Sequence, residues 1–418
     1  MQNFYHPLKA RDGLRSVPCI LGLSASPILR SKISELEFVL IVHLRFARNL
    51  TRSRKIEFSL DSICITPRIH RQELLKHVHR PVLYRLEYEP HNSIDSASSN
   101  ALLCLRSTCQ GLGLQAGPVA NNLISEMERL TLARTSRPPR TKLEQQLAKF
   151  CSKATHVCEE LGQWAADYFI LETIVALEAL TDDEAHLFEG GRDRMALLGL
   201  LKTHPVRRLL ANRSLEEPYS VSSKVQRLIS FLDEQDHNQC SGLLFVRQRV
   251  SVGVLHKLLS VHPKTRERFR CATFVGMSNH AAKKYALSEL LDFTAQRQTL
   301  AEFRARQKDL IIATDVLEEG IDVAACNLVI CFDPPSNLKS FIQRRGRARQ
   351  AKSKFAIMFP NNEGFSKLEI WRTLEQSLIQ AYQDEMRRCA DLADLEDEVE
   401  RVPGRLVVES TGSVSLCE

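Results

Sequence analysis

Residues 311–323 read Ile311-Ile312-Ala313-Thr314-Asp315-Val316-Leu317-Glu318-Glu319-Gly320-Ile321-Asp322-Val323, and residues 343–349 read Gln343-Arg344-Arg345-Gly346-Arg347-Ala348-Arg349. The first stretch is an apolar run from Leu310 that ends on two residues with polar side chains, Thr314 and Asp315. A buried strand with this ending delivers its polar residues to its carboxyl end, where α/β sheets place their ligands. Gly320 lets backbone approach a ligand closely, and Asp322 offers acceptors for hydroxyls. The second stretch packs four arginines around one glycine. Between the two lies another apolar run, Leu328-Val329-Ile330-Cys331-Phe332.

Working outward, Leu243 to Val246, Phe274-Val275 and Phe355 to Phe359 are further short apolar runs. Segments with helical spacing separate them, over Lys224–Leu232, Val254–Leu259 and 281–306. Short apolar runs buried on both faces and alternating with helices predict a parallel sheet in an α/β domain.

Upstream the texture is helical. Apolar or small residues fall at 143, 147, 150, 154, 157, 161, 164, 168, 171 and 175. Steps of alternately four and three residues mark the seam of a long amphipathic helix, read here as one helix of a bundle broken near Gly162. Thr141-Lys142-Leu143-Glu144 has the pattern of a capping box at its start. Downstream, one helix is expected from about 363 to Arg388, followed by an acidic stretch from Asp391 to Glu400 that reads as a solvated linker.

The 418 residues carry 44% hydrophobic and 26% charged residues, a balance that places the chain among globular proteins rather than disordered ones. No apolar run approaches the ~18 residues of a membrane helix, and the start of the chain lacks a signal-peptide pattern. No membrane partner is therefore expected. The twelve cysteines are scattered without a C-x-x-C pair, which suits free thiols in a reducing compartment. No metal site is expected, because neither His77 with His79 nor Cys151 with Cys158 has a partner pair at zinc spacing. A net charge of +7 suits an anionic partner but does not name one.

A-T-D-V-L-E-E-G-I-D at 313–322 followed by Q-R-R-G-R-A-R at 343–349 resembles motifs V and VI of superfamily 2 helicases, in the variant of Dicer enzymes and viral-RNA sensor helicases. Leu23-Ser24-Ala25-Ser26-Pro27 resembles motif III, Gly242 to Arg249 motif IV, and Phe274-Val275-Gly276 the motif that follows. Val408-Glu409-Ser410-Thr411-Gly412 resembles the beginning of the small dimerisation domain of Dicers, so the similarity runs along almost the whole chain, to the fungal Dicer-like proteins.

The resemblance implies an α/β fold: a RecA-like helicase C-terminal domain of the P-loop NTPase type, with an all-α insertion and the remnant of a first RecA-like domain. It divides the chain into 1–115, the remainder of the first RecA-like domain and a connection; 116–215, the helical insertion; 216–362, the second RecA-like domain; and 363–418, a helical extension, the acidic linker and the start of the dimerisation domain. By position in the motifs, Arg347 and Arg349 are implied as arginine fingers with Gln343 facing the nucleotide. Gly320 and Asp322 would line the nucleotide edge, Arg249, Gly276 and Thr314 would hold an RNA backbone, and Ser24, Ala25 and Ser26 would couple the domains.

The intact family enzymes use ATP and Mg2+, yet no Gly-Lys dipeptide occurs anywhere in this chain. A P-loop needs that lysine on the phosphates. Asp183-Glu184-Ala185-His186 looks like the acidic helicase motif but follows helical sequence, so it is read as chance. The ribonuclease III signature is absent as well. The expectation is therefore a truncated Dicer-like chain, from motif III to the start of the dimerisation domain. It would bind double-stranded RNA and supply the arginine-finger half of an ATPase in RNA silencing and antiviral defence. Alone it would hold no nucleotide tightly, hydrolyse no ATP and cut no RNA. The expected partners are double-stranded RNA, the missing helicase half and other silencing proteins, in an intracellular, cytoplasmic setting. The alternative is a non-catalytic RNA-binding scaffold built on a RecA-like domain.

Overall fold

The strands are built by apolar runs too short for helices, and a computed structural model places six of them side by side. It describes residues 79–90, 99–112, 142–180, 191–211, 220–236, 239–275, 296–318, 321–361, 364–383, 406–408 and 414–416. The strands are β1 (Val82–Tyr88), β2 (Gly242–Phe245), β3 (Cys271–Phe274), β4 (Leu310–Ala313), β5 (Leu328–Cys331) and β6 (Lys354–Pro360). They form one sheet in the order β1-β6-β5-β2-β4-β3, and every neighbouring pair is parallel.

Every residue of β2, β4 and β5 is buried. That requires cover on both faces, and it is why these strands read as continuous apolar runs rather than alternating ones. Each fully buried Leu or Ile contributes about 2 kcal/mol, so these three strands carry a large share of the core. The helices between them are α6 (Ser223–Asp233), α7 (Arg249–Val261), α8 (Gln296–Arg304) and α9 (Leu338–Arg345).

The helical region comprises α1 (Asn100–Gly111), α2 (Lys142–Leu161), α3 (Gln163–Ala179), α4 (Gly191–Leu201) and α5 (His204–Ala211). The expected break falls at Gly162, between α2 and α3. Its φ of 106° is open to glycine and strained for other residues. The break also makes a junction: Gly162 bridges Val221, the Gln163 amide donates to the Ser220 carbonyl at 3.0 Å, and the Ser222 amide donates to the Leu161 carbonyl at 3.1 Å. The α3 helix is apolar all round, and Trp164, Phe169 and Ile170 are buried, as befits a central helix. Phe150 of α2 meets Phe169 with ring centroids 5.3 Å apart. Asp167, 2% exposed, accepts from the Ala101 amide at 2.9 Å and so satisfies the start of α1.

The described part of 1–115, residues 79–90 and 99–112, packs with the sheet and the helical region. Val82–Tyr88 pairs with Lys354–Pro360 along its full length, and α1 packs with α2 and α3. The helical region is thus inserted after the first strand of this sheet, not ahead of the domain. Strand β1 alternates charged and apolar residues because it is an edge strand with a half-exposed surface, so it does not read as sheet from sequence.

The expected remnant of a first RecA-like domain, with Ser24, Ala25 and Ser26, lies outside the described residues, as do the capping residue Thr141, the 183–186 stretch and the acidic 391–400 stretch. Helix α10 (Gly364–Gln383) and the antiparallel pair β7 (Leu406–Val408) and β8 (Val414–Leu416) belong to a separate unit. Among the described residues no helix is long and apolar enough to cross a membrane. All eight described cysteines are free.

A Cβ at position 162 would lie 2.4 Å from the Ser220 carbonyl oxygen and 2.7 Å from the Ser222 nitrogen. Gly162→Ala is therefore expected to cost about 3 kcal/mol, from backbone strain and overpacking. Gly199, exposed within α4 with open space around it, has the opposite outlook. Gly199→Ala should stabilise by roughly 0.5–1 kcal/mol. Urea unfolding of the two variants beside the parent chain checks both signs.

Candidate functional site

Because all six strands run the same way, their carboxyl ends line one edge of the sheet. The chain leaves β2 towards β3 on one side and leaves β5 towards β6 on the other. The crevice between the ends of β2 and β5 is therefore the topological switch point, where open α/β sheets bind ligands. Of the polar residues singled out from sequence, Arg249 and Thr314 lie along this edge, whereas Arg347 and Arg349 flank Ala348, which bridges Cys326 just ahead of β5 at the amino ends of the strands.

Arg249 is the first residue of α7, exposed and just beyond the end of β2. Arg247, two residues earlier, is exposed as well. Gln248 at the N-cap gives α7 no side-chain cap, so the helix offers its first amides and its positive dipole end beside two arginines. Thr314 ends β4, next to β2, but is 5% exposed; its amide donates to the Phe274 carbonyl at 3.3 Å. It forms the floor of the edge rather than its rim. Gly276 and Gly320 lie outside the described residues.

The arginine-rich segment is α9 and the turn after it. Asn337 starts the helix by accepting from the Ser340 amide at 2.9 Å. Arg344 is buried, and its Nε donates to the Glu318 carboxylate at 2.7 Å. A second donor, Nη1, reaches the Asp333 carbonyl at 3.0 Å, and the guanidinium lies 4.9 Å from the centre of the Phe245 ring. Ser340 donates its hydroxyl to the other Glu318 oxygen at 2.9 Å. Glu318 follows the short 3-10 turn Asp315–Leu317 after β4, so this one carboxylate ties the two quoted stretches together. Burial alone would lower the Arg344 pKa, but the neighbouring Cys331 and Glu318 outweigh it and raise it. Cys331 is itself pushed up to about 11 by burial and stays a thiol at neutral pH.

Arg347 is the first of the two arginines that the motif implies as fingers. It is 9% exposed, and its guanidinium donates to the Ile321 carbonyl at 3.0 Å and the Glu318 carbonyl at 3.0 Å. In this structure it binds the Glu318 and Ile321 carbonyls together rather than reaching outward. Arg349 is exposed, with Nε on the Gly346 carbonyl at 2.8 Å, and Gln343 is half-buried on α9. Asp322 projects an exposed carboxylate paired with Arg304 at 3.0 Å, a surface ion pair of little energetic weight.

The sequence reading passed over a second charged node. Lys224, 4% exposed at the start of α6, donates to Asp333 at 2.9 Å and to Glu160 of α2, with the Phe332 ring 4.1 Å from its ammonium. Burial would lower its pKa; Asp333, Glu160 and Tyr88 raise it instead. Asp333 feels burial upward and Lys224 downward, and it ends below the usual carboxylate range. Its second oxygen accepts the Arg247 amide at 2.7 Å. A charge directly after the apolar run 328–332 was the available signal for Asp333, and Glu318 lay within the quoted motif after β4. Lys224 at the head of a helical segment gave none.

The sheet and its arginine edge define a RecA-like helicase C-terminal domain carrying a helical insertion. Residues 223–352 match the helicase conserved C-terminal domain family. Along nearly its whole length the chain also matches fungal Dicer-like proteins. It is 44% identical to Dicer-like protein 2-1 of Aspergillus niger over 417 residues and 42% identical to Dicer-like protein 2 of Aspergillus fumigatus over 417 residues, covering 99% of this chain in both cases. The chain is thus similar to fungal Dicer-like proteins along almost its whole length, and it spans 29% of the length of each of these relatives. The solved helicase domain of Pyrococcus furiosus Hef is similar at 17% identity with a TM-score of 0.40, covering 89% of this chain and 71% of that one.

The Arg344–Glu318 pair is buried on both sides, with side chains 6% and 10% exposed. Glu318→Ala leaves a buried guanidinium without its carboxylate, which is expected to cost about 3–5 kcal/mol. The double variant Glu318→Leu/Arg344→Met removes both charges and should recover much of that loss. Chemical denaturation of the two variants measures the difference; equal losses would contradict the pairing.

Proposed function

We propose that this region binds the backbone of double-stranded RNA along the carboxyl edge of its sheet and contributes the arginine side of an ATPase completed by other parts of a Dicer-like protein. The supporting observation is the convergence at the β2/β5 crevice of Arg247, Arg249 and the uncapped start of α7. Helix N-termini and arginines are the groups that hold phosphates without reading bases. Duplex RNA is recognised mainly through shape, phosphates and ribose hydroxyls, which suits such a set. In this reading Thr314 shapes the turn under the RNA, and Gly276 stays in the candidate contact set by its motif alone.

For the nucleotide, Arg349 is the exposed arginine able to reach a γ-phosphate held by another domain. Charge neutralisation there is worth roughly 10³–10⁵ in rate in related phosphoryl transfers. Arg347 acts indirectly by holding the Glu318 and Ile321 carbonyls, and Gly320 and Asp322 stay candidates for the nucleotide edge by their motif. Gln343 completes the nucleotide-facing side. In this reading Mg2+ and the nucleotide phosphates are held by the P-loop side of the intact protein, since this chain has no Gly-Lys dipeptide. Neither ATP hydrolysis nor RNA cleavage is proposed for this chain alone. Its setting would be RNA silencing and antiviral defence, inside the cell.

The test is binding of the purified chain to a fluorescent RNA duplex across a salt series. Affinity should fall steeply with salt, and Arg249→Ala should weaken binding equally on unrelated sequences while reducing the salt slope by about 1. Folded chain that fails to bind, or binding that depends on sequence rather than salt, would refute the reading.

A further inference from the structure

We propose that Lys224 is a positioning residue for the RNA-facing turn, acting from the helical insertion through Asp333 onto residues 247–249. This rests on the RNA-binding reading above. The route is continuous in named atoms. Glu160, in the last turn of α2, and Asp333, beyond the end of β5, share the Lys224 ammonium between them. The remaining Asp333 oxygen accepts the Arg247 amide at 2.7 Å, and the Asp333 carbonyl accepts from Arg344 at 3.0 Å. One aspartate therefore sets both the turn that leads into Arg249 and the first arginine of the arginine-rich segment.

The environment explains why the lysine has to be there. The Asp333 side chain is only 17% exposed, and a carboxylate so largely enclosed is tolerated when it is paired and hydrogen-bonded. The Lys224 ammonium supplies the charge and stands 4.1 Å from the centre of the Phe332 ring and 5.5 Å from that of Tyr88, where both ring faces favour a cation. Its backbone is held too: Ser222 caps α6 by accepting from the Val225 amide at 3.2 Å and donates its own hydroxyl to the Glu160 carbonyl at 2.6 Å. Ser223 donates to the Glu89 carbonyl just past β1. A rigid lysine between α2, β1 and β5 fixes where the Asp333 oxygen points. Without it the carboxylate loses its reason to face the Arg247 amide, and the turn carrying Arg247 and Arg249 loosens.

The alternative is a purely structural ion pair, and a double-mutant cycle separates the two. Four chains are compared for RNA-duplex affinity at one salt concentration: parent, Lys224→Met, Arg249→Ala and the double variant. If Lys224 acts through the turn, its loss weakens binding about tenfold in the parent but adds less than about twofold once Arg249 is gone, because the two share one route. Full additivity in folded chains, or unchanged affinity in Lys224→Met, overturns the proposal. Should Lys224→Met not fold, Lys224→Met/Asp333→Asn takes its place, since it removes both enclosed charges and leaves Glu160, which is partly exposed. Hydrogen exchange at the Arg247 amide gives a readout that needs no RNA. The proposal predicts faster exchange in the lysine variant, and parent-like exchange in a folded variant overturns it. A parent chain that binds no RNA, with this acceleration still seen in the lysine variant, would refute the RNA reading and leave the positioning intact.

Discussion

Six strands running in one direction impose a single constraint from which the rest follows: every carboxyl end, with its polar residues, must meet at one edge. Each parallel step requires a crossover, so helices cover both faces and the central strands β2, β4 and β5 are buried throughout. The polar chemistry has nowhere else to go. Arg247, Arg249, Thr314, Glu318 and Asp333 come from three strands distant in sequence, yet the sheet makes them neighbours.

That edge is built from enclosed charges, which are costly unless each finds a partner. Two carboxylates do most of the ordering. Glu318 holds Ser340 and Arg344 with its side chain and Arg347 with its carbonyl, so the loop after β4 and the arginine segment form one piece. Asp333 holds Lys224, the Arg247 amide and Arg344, so the loop after β5 joins the helical insertion to the turn after β2. Arg344 touches both and locks the two clusters together. Buried pairs of this kind add little net stability compared with apolar packing; their effect is to select one arrangement of the edge.

The sequence was legible where burial is uniform and opaque where direction matters. Runs such as Leu310 to Ala313 and Phe355 to Phe359 read as strands because both faces are apolar. Gly162 read as a helix break because the apolar seam passes it without a side chain to contribute. Strand Val82–Tyr88 did not read as sheet, since an edge strand shows charges at alternate positions and its partner lies far along the chain. The arginine segment was found by its pattern, but which arginine faces inward depends on carbonyls at Glu318 and Ile321 that no pattern reveals. Lys224 was invisible as a functional residue because its partners, Glu160 and Asp333, are remote in sequence in opposite directions.

In the proposed reading the β2/β5 crevice holds phosphate backbone and the helical insertion supports it. Hydrogen exchange of the chain with and without a blunt RNA duplex probes that claim most directly. Protection is expected at 246–250 and around 314–318, with the outer helices α4 and α5 unchanged. Protection confined to the helical insertion, or none at the carboxyl edge in a chain that binds the duplex, would contradict the account.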